Sequence, residues 1–221
     1  MIEELLPAAV ASAEAFADPP EVYLFPEEEA AVARAVEKRR REFATVRQCA
    51  RTALGQLGLP PVAIVPGQRG APRWPGGVVG SMTHCDGYRA AIVAHARDLV
   101  TLGVDAEPHE PLPGDVLDLV ALPAERDHLA SLTSTAPRVH WDRVLFCAKE
   151  TIYKAWFPLT SRWLNFDEAR VWLRPEGRFT ADLLVPGPVI DGRQWRGFEG
   201  RFLVRDGVIV TVIATARTTM A

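Results

Sequence analysis

The stretch FCAKETIYKAW, residues 146–156, sets Lys149, Glu150 and Lys154 within six positions, beside Phe146, Tyr153 and Trp156. A carboxylate to take a proton and cations to clamp phosphate are what a phosphate-handling site requires. Glu150 and Lys154 are also i, i+4 neighbours in the orientation that favours plain helix-surface pairing, worth a few tenths of a kcal/mol. This stretch alone therefore does not choose between chemistry and a solvated face. Two aromatics on the same arc, Phe146 and Tyr153, weigh against the solvated face.

A second acidic stretch lies upstream. In LGVDAEPHE, residues 102–110, Asp105 and Glu107 are i, i+2, so on a strand they project to one side while Val104 and Ala106 face the other. Parallel carboxylates repel unless a cation lies between them, and oxygen-only ligands suit Mg²⁺. The plainer reading is a charged strand end that runs into a proline turn. Glu150 supplies a third carboxylate if its helix packs beside this strand.

Cationic candidates come from residues 34–51, which hold seven Lys or Arg against two Glu in a chain whose net charge is -3. Lys38, Arg40 and Arg41 read as a solubilising surface. Arg47 and Arg51 stand one turn apart beside an apolar stripe. So short a patch in an acidic chain argues against nucleic acid and for a compact phosphate ligand, which arginine forks bind bidentately. In GSMTHCDGYRAA, residues 80–91, Thr83 and His84 are further possible anion donors, although a lone histidine is more often structural.

These groups need elements to hold them. The segment PEEEAAVARAVEKRRREF opens with Pro and three acids, as a helix start does, and Val46, Cys49, Ala50, Ala53 and Leu57 continue one buried stripe. VVGSMTH and YRAAIVAHA read as strands of a hairpin turning at Asp86-Gly87, and LVTLGVDAE as a third strand. A short helix starts at Pro123, and a long one runs from about Val139 to Pro158. On that helix Trp141, Val144, Leu145, Ala148, Ile152, Ala155 and Trp156 form the core arc. ARVWLR, RFTADLLV, GFEGRFLV and GVIVTVIATA read as antiparallel strands. Helices followed by strands thus occur twice, over 26–104 and 115–216. The expected class is α+β, with two pseudo-symmetric lobes of helices packed on a small antiparallel sheet, divided as residues 1–104 and 105–221.

Composition narrows the remaining options. With 48% hydrophobic and 24% charged residues the chain is an ordinary globular one. Cys49, Cys85 and Cys147 form no C-x-x-C pair, which fits a reducing cytoplasm. Glu3 and Glu4 occupy the place where a signal peptide needs positive charge, and no apolar run approaches the roughly 20 residues of a membrane span. Export and membrane insertion are not expected.

Gly103-Val104-Asp105 followed by Phe146-Cys147-Ala148-Lys149-Glu150-Thr151-Ile152-Tyr153-Lys154 resembles the paired signature of the Sfp-type 4′-phosphopantetheinyl transferases, in their actinobacterial single-chain form. GSMTHCDGYRAA resembles that family's upstream element, and the likeness runs from about residue 40 to 166. The resemblance implies an enzyme that moves the phosphopantetheine arm of coenzyme A to a serine of an apo acyl or peptidyl carrier protein, releasing adenosine 3′,5′-bisphosphate, with the site between two lobes. It implies Asp105, Glu107 and Glu150 as Mg²⁺ ligands, Glu150 also as general base, and Lys154 on the pyrophosphate. It further implies Arg39, Arg47, Thr83 and His84 on coenzyme A phosphates, with Lys149 as a motif residue toward the coenzyme. In IVPGQRGAPRW, Pro66 stands near the place where relatives carry a lysine, and Arg69 is taken as its substitute. One chain holds both halves of the site, so a monomer suffices. A coenzyme-binding homologue without activity and a Mg²⁺-dependent phosphohydrolase are the alternatives.

Overall fold

The structure is a computed structural model and describes residues 1–217. After a 3-10 turn at Ile2–Leu5 come β1 (Ala11–Ala15), α1 (Pro26–Val32), α2 (Glu37–Gln56), β2 (Val78–Cys85), β3 (Tyr88–His95) and β4 (Leu99–Pro108). Then follow α3 (Gly114–Val120), α4 (Pro123–Thr135), α5 (Trp141–Thr160), β5 (Ala169–Arg174) and β6 (Arg178–Leu183). The small pair β7 (Val189–Ile190) and β8 (Arg193–Gln194) precedes β9 (Gly197–Arg205) and β10 (Val208–Ala216). The class is α+β with antiparallel sheets, as expected: one in the order β1-β3-β2, another in the order β4-β10-β9-β6-β5.

Over the centre of the molecule these sheets stack face to face between α2 and α5. β3 explains why YRAAIVAH is nearly all apolar: it is buried on both faces. Ala91 and Val93 pack on Ala50, Ala53 and Leu54 of α2. Ala90, Ile92 and Ala94 meet Val104, Ala106, Val210 and Val212 of the larger sheet. The opposite face of that sheet, with Ile209 and Ile213, takes the core arc of α5. Within that arc Val144, Leu145, Ala148, Ile152, Ala155 and Trp156 are fully buried.

β2 and β4 join the sheets without a backbone ladder. Val104 N–H donates to Ser81 Oγ (3.1 Å) and Ala106 N–H to Thr83 Oγ1 (3.0 Å), so hydroxyls of one sheet satisfy amides of the other. Gly103 is required by the next layer. A Cβ there would stand 2.4 Å from the Thr151 carbonyl oxygen, so only glycine lets α5 lie this close to β4. β4 is one continuous strand across positions 104 and 105, where the lobes were expected to divide.

The halves share a device that the sequence hardly shows. In α1, Pro26 opens the helix and Glu28, fully buried, accepts from Phe25 N–H, from Ile64 N–H and from Arg51 of α2. In α4, Pro123 opens the helix and Glu125, 1% exposed, accepts from Leu122 N–H, from Val171 N–H and from Lys149 of α5. Each glutamate caps its own helix, ties down a later chain segment and neutralises a cation of the long helix that follows. The cation comes 23 residues later in one case and 24 in the other. Only the Pro-x-Glu spacing records this equivalence in the sequence.

Breaking a buried ion pair from one side leaves an uncompensated charge and typically costs about 3–5 kcal/mol. Glu125→Ala and Glu28→Ala should each lower stability in urea unfolding by about that much. The double change Glu125→Leu with Lys149→Met removes both charges but leaves Leu122 N–H, Val171 N–H, Val120 O and Phe166 O without these partners, so it should recover only part of the loss. A single variant within about 0.5 kcal/mol of the parent, the size of an ordinary surface change, would contradict this role.

Candidate active site

Asp105 lies where the two sheets meet α5. It is 5% exposed, and β4 turns it toward the helix while Val104 and Ala106 face the sheet interior. Lys154 Nζ donates to its Oδ1 at 2.7 Å and also reaches the Met82 carbonyl at 3.3 Å. Thr83 Oγ1 donates to the same Oδ1 at 3.0 Å. Asp105 Oδ2 is buried and has no partner among the described residues. Buried polar atoms are nearly always satisfied, so this oxygen marks a place for a further ligand.

Glu107 and Glu150 complete the acidic set. Burial raises the pKa of both, and the Asp105 charge is the next cause in each case. Both glutamates thus feel the charge of Asp105. Glu107 Oε2 accepts from Arg143 at 3.0 Å, whereas Glu150 makes no ion pair or side-chain hydrogen bond among the described residues. No group of three His, Cys, Asp or Glu side chains there is drawn together tightly enough to hold a metal as it stands. The donor chemistry still fits Mg²⁺: the available atoms are carboxylate oxygens, one of them the unsatisfied Asp105 Oδ2.

Strand alternation sends His84 to the other face of β2 from Thr83, into a cavity of about 340 Å³ bordered by Arg39, Phe43, Arg47 and Pro66. Arg47 is buried. Its Nε donates to the Ile64 carbonyl at 3.2 Å, and its guanidinium stacks on Phe43, 3.3 Å from the ring centre. Burial pulls its pKa down to about 10, so it stays charged at neutral pH. Arg39 is half-exposed and lies 3.8 Å from Glu42. His84 Nε2 is 3.7 Å from Glu42, yet burial, then Arg39, Lys154 and Arg89, hold the ring down at about 4. The surrounding cations outweigh that one long approach, and the ring is neutral. Together these groups form a positively charged recess suited to an anion.

A larger cavity of about 690 Å³, bordered by Glu150, Tyr153, Lys154, Arg69 and Trp74, adjoins this recess and shares Gly70, Pro72 and Met82 with it. Arg69, with φ +53°, stacks over Trp163 at 5.0 Å. Pro66 bridges to Pro72 across the tight loop that carries Arg69.

Two of the expected phosphate or coenzyme contacts have other employment. Lys149 is 4% exposed, and its three N–H donors go to Val120 O (2.8 Å), Glu125 Oε2 (2.8 Å) and Phe166 O (2.7 Å). It is an anchor for α4 and for the segment after α5, with no donor left for a ligand. Thr83 spends its one hydroxyl proton on Asp105 and so joins the sheets instead of presenting a donor to phosphate. One residue enters that sequence reasoning passed over. Arg143 stands two helical turns before Glu150, on the same face, which the helical period alone would have indicated. Tyr153, already singled out as an aromatic on this arc, has its hydroxyl buried without a partner among the described residues and its ring packed 4.7 Å from Trp163.

An α+β enzyme with a lysine set in a carboxylate cluster and a cationic recess nearby is the class that this arrangement defines. The chain belongs to the 4′-phosphopantetheinyl transferase superfamily: residues 101–211 match that family's model, and residues 27–94 match the model of the 4′-phosphopantetheinyl transferase N-terminal domain. It is 59% identical over 220 residues to the 4′-phosphopantetheinyl transferase Svp of Streptomyces mobaraensis, covering 98% of this chain and 89% of that one. It is 53% identical to the 4′-phosphopantetheinyl transferase Npt of Nocardia iowensis, covering 98% of this chain and all of that one. Identity to the 4′-phosphopantetheinyl transferase PptT of Mycobacterium tuberculosis is 48%, covering 96% and 97%. The chain is therefore a transferase of this class. No helix among the described residues is long and apolar enough to cross a membrane.

His84 gives a pH signature. Its ordinary value of 6.5 falls to about 4 in the fold, so between these values the unfolded chain holds a proton that the native chain lacks. Stability should fall as pH drops from about 6.5 to about 4, and His84→Gln should flatten that part of the curve. A nuclear magnetic resonance titration of the ring should show its midpoint near 4; one at 6 or above would contradict the environment described.

Proposed function

We propose that this transferase moves the 4′-phosphopantetheine group of coenzyme A to the serine of an apo acyl or peptidyl carrier protein. Adenosine 3′,5′-bisphosphate is the other product and Mg²⁺ the metal. The observation that carries the reading is the Glu150 carboxylate beside the Lys154–Asp105 pair, it and Asp105 Oδ2 both without a hydrogen-bond partner among the described residues, with a cationic recess nearby.

On this reading residues 1–104 form the phosphate-gripping lobe and residues 105–221 the metal and catalytic lobe. Arg39 and Arg47 hold the coenzyme phosphates, with the neutral His84 as a hydrogen-bonding partner and Arg69 at the mouth of the larger cavity. The serine oxygen attacks the β-phosphorus in line. The bond from that phosphorus to the bridging oxygen breaks, and the bisphosphate departs with the electron pair. Glu150 takes the serine proton. Lys154 offsets charge on the departing phosphate. Asp105, Glu107 and Glu150 would hold Mg²⁺, which supplies charge neutralisation on the diphosphate when bound. Segment 108–114, tied to α5 by Arg143 and by Asp142 on Leu112 N–H, is the rim on which the carrier would rest.

Protein work in such transfers is mostly positioning and charge stabilisation, and removing one key group costs roughly 10²–10³-fold in rate. Incubation with coenzyme A, Mg²⁺ and a panel of apo-carriers, read by intact mass, should show a carrier gaining the phosphopantetheine mass. Glu150→Gln and Asp105→Ala should each reduce that gain by at least this factor. Near-normal turnover by Glu150→Gln would refute its role as base, and adenosine bisphosphate released without any carrier would mark a hydrolase instead.

A further inference from the structure

The acidic cluster already has counter-charges within the chain. Lys154 lies on Asp105 and Arg143 on Glu107. Arg143 is no loose surface arginine. Its Nη1 holds Glu107, while Nε and Nη2 donate to the carbonyls of Glu110 and Pro111, each at 3.1 Å. All three contacts fall on one five-residue segment, so the fork is fixed and its charge cannot swing away. The neighbouring Asp142 accepts from Leu112 N–H at 2.8 Å and holds the same segment against the first turn of α5.

The charges can be followed in order. Three carboxylates, Asp105, Glu107 and Glu150, face two fixed cations, and the set carries one net negative charge. A divalent ion alone turns it net positive. A divalent ion that comes with the two negative charges of a diphosphate restores the starting balance.

Resting on the transferase reading above, we propose that Arg143 is a positioning residue that makes divalent-cation binding conditional on the diphosphate of the co-substrate. It aims Glu107 at the cluster and cancels enough of its charge that the ion binds weakly by itself. The ion and the diphosphate then stabilise each other at the site. The dependence guards against a cation seated in the acidic cluster with no substrate to act on.

Mn²⁺ takes the same oxygen donors as Mg²⁺ and can be followed by its paramagnetic resonance. Its affinity for the whole protein would be measured with and without coenzyme A, in the parent, Arg143→Gln and Arg143→Lys. The parent should bind Mn²⁺ at least about ten-fold more tightly with the coenzyme. Even at the dielectric of water, a unit charge about 6 Å from a divalent ion is worth about ten-fold in affinity. Arg143→Gln should therefore tighten Mn²⁺ binding to the coenzyme-free protein by about ten-fold and shrink the coupling. Arg143→Lys, which keeps the charge and loses the fork, should resemble the parent in coenzyme-free Mn²⁺ affinity. A merely structural arginine predicts the opposite pattern, with both variants weakened alike. Unchanged or weaker coenzyme-free binding in Arg143→Gln, or a parent that binds Mn²⁺ equally with and without coenzyme A, would overturn the proposal. The readout is metal occupancy and not transfer. A protein that modifies carriers yet shows no coupling sinks this inference alone, and one that shows coupling yet modifies no carrier sinks the transferase reading alone.

Discussion

Asp105 is the side chain through which the separate parts of the molecule communicate. Its Oδ1 accepts from Thr83 of the smaller sheet and from Lys154 of the long helix, while its own strand pairs with β10 of the larger sheet. Three elements distant in sequence converge on one oxygen. The arrangement is held by desolvation: a carboxylate so deeply placed must have charged and hydrogen-bonding partners, and these two are the only ones on Oδ1 among the described residues. The same burial leaves Oδ2 bare. A site that must accept one more ligand is thereby distinguished from a structural ion pair, in which all oxygens are spoken for.

Glu28 and Glu125 show the contrast. Both of their oxygens are occupied by backbone amides and by the cation of the following helix. These carboxylates have no spare capacity and do scaffold work. They fix where α1 and α4 begin, and through Arg51 and Lys149 they fix the roll of the long helices α2 and α5. On α5, Lys149 points to Glu125 and the adjacent Glu150 is thereby left facing the cleft. The rotation that buries one member of the Lys-Glu pair exposes the other to chemistry.

Much of this was legible in the sequence, for reasons that also explain the misses. Period two put Asp105 and Glu107 on one side of a strand, and period 3.6 picked out the buried arc of α5, whose wheel residues are indeed buried. The same wheel set Lys149 with Glu150 on the polar arc, because a wheel sees one helix and cannot see α4 and the Phe166 turn closing over that side. Thr83 and His84 were read as joint anion donors, and both border the recess, but Thr83 gives its hydroxyl proton to Asp105, a partner that period two within one strand does not show. β1 was missed because ASAEA has little strand propensity, and only its pairing with β3 makes it a strand. The meeting of β4 with α5 had one local trace, the glycine at 103, whose meaning depends on knowing what lies above it.

The correspondence between the halves ends where the chemistry begins. Both lobes set a 20-residue helix against an antiparallel sheet and lock it with a buried glutamate. From that common frame α2 presents Arg39 and Arg47 to its recess, whereas α5 presents Glu150 and Lys154 to the adjoining cavity. A frame that repeats while its charges differ can address the two ends of a charged, asymmetric ligand from one fixed geometry, with no element required to move. Pro66 borders the recess and contributes no charge. The burden of charge there falls on Arg47, whose stacking on Phe43 and bond to Ile64 keep a desolvated guanidinium in place. A guanidinium loses little by desolvation compared with an ammonium, which is why an arginine can carry this position buried and still be charged when an anion arrives.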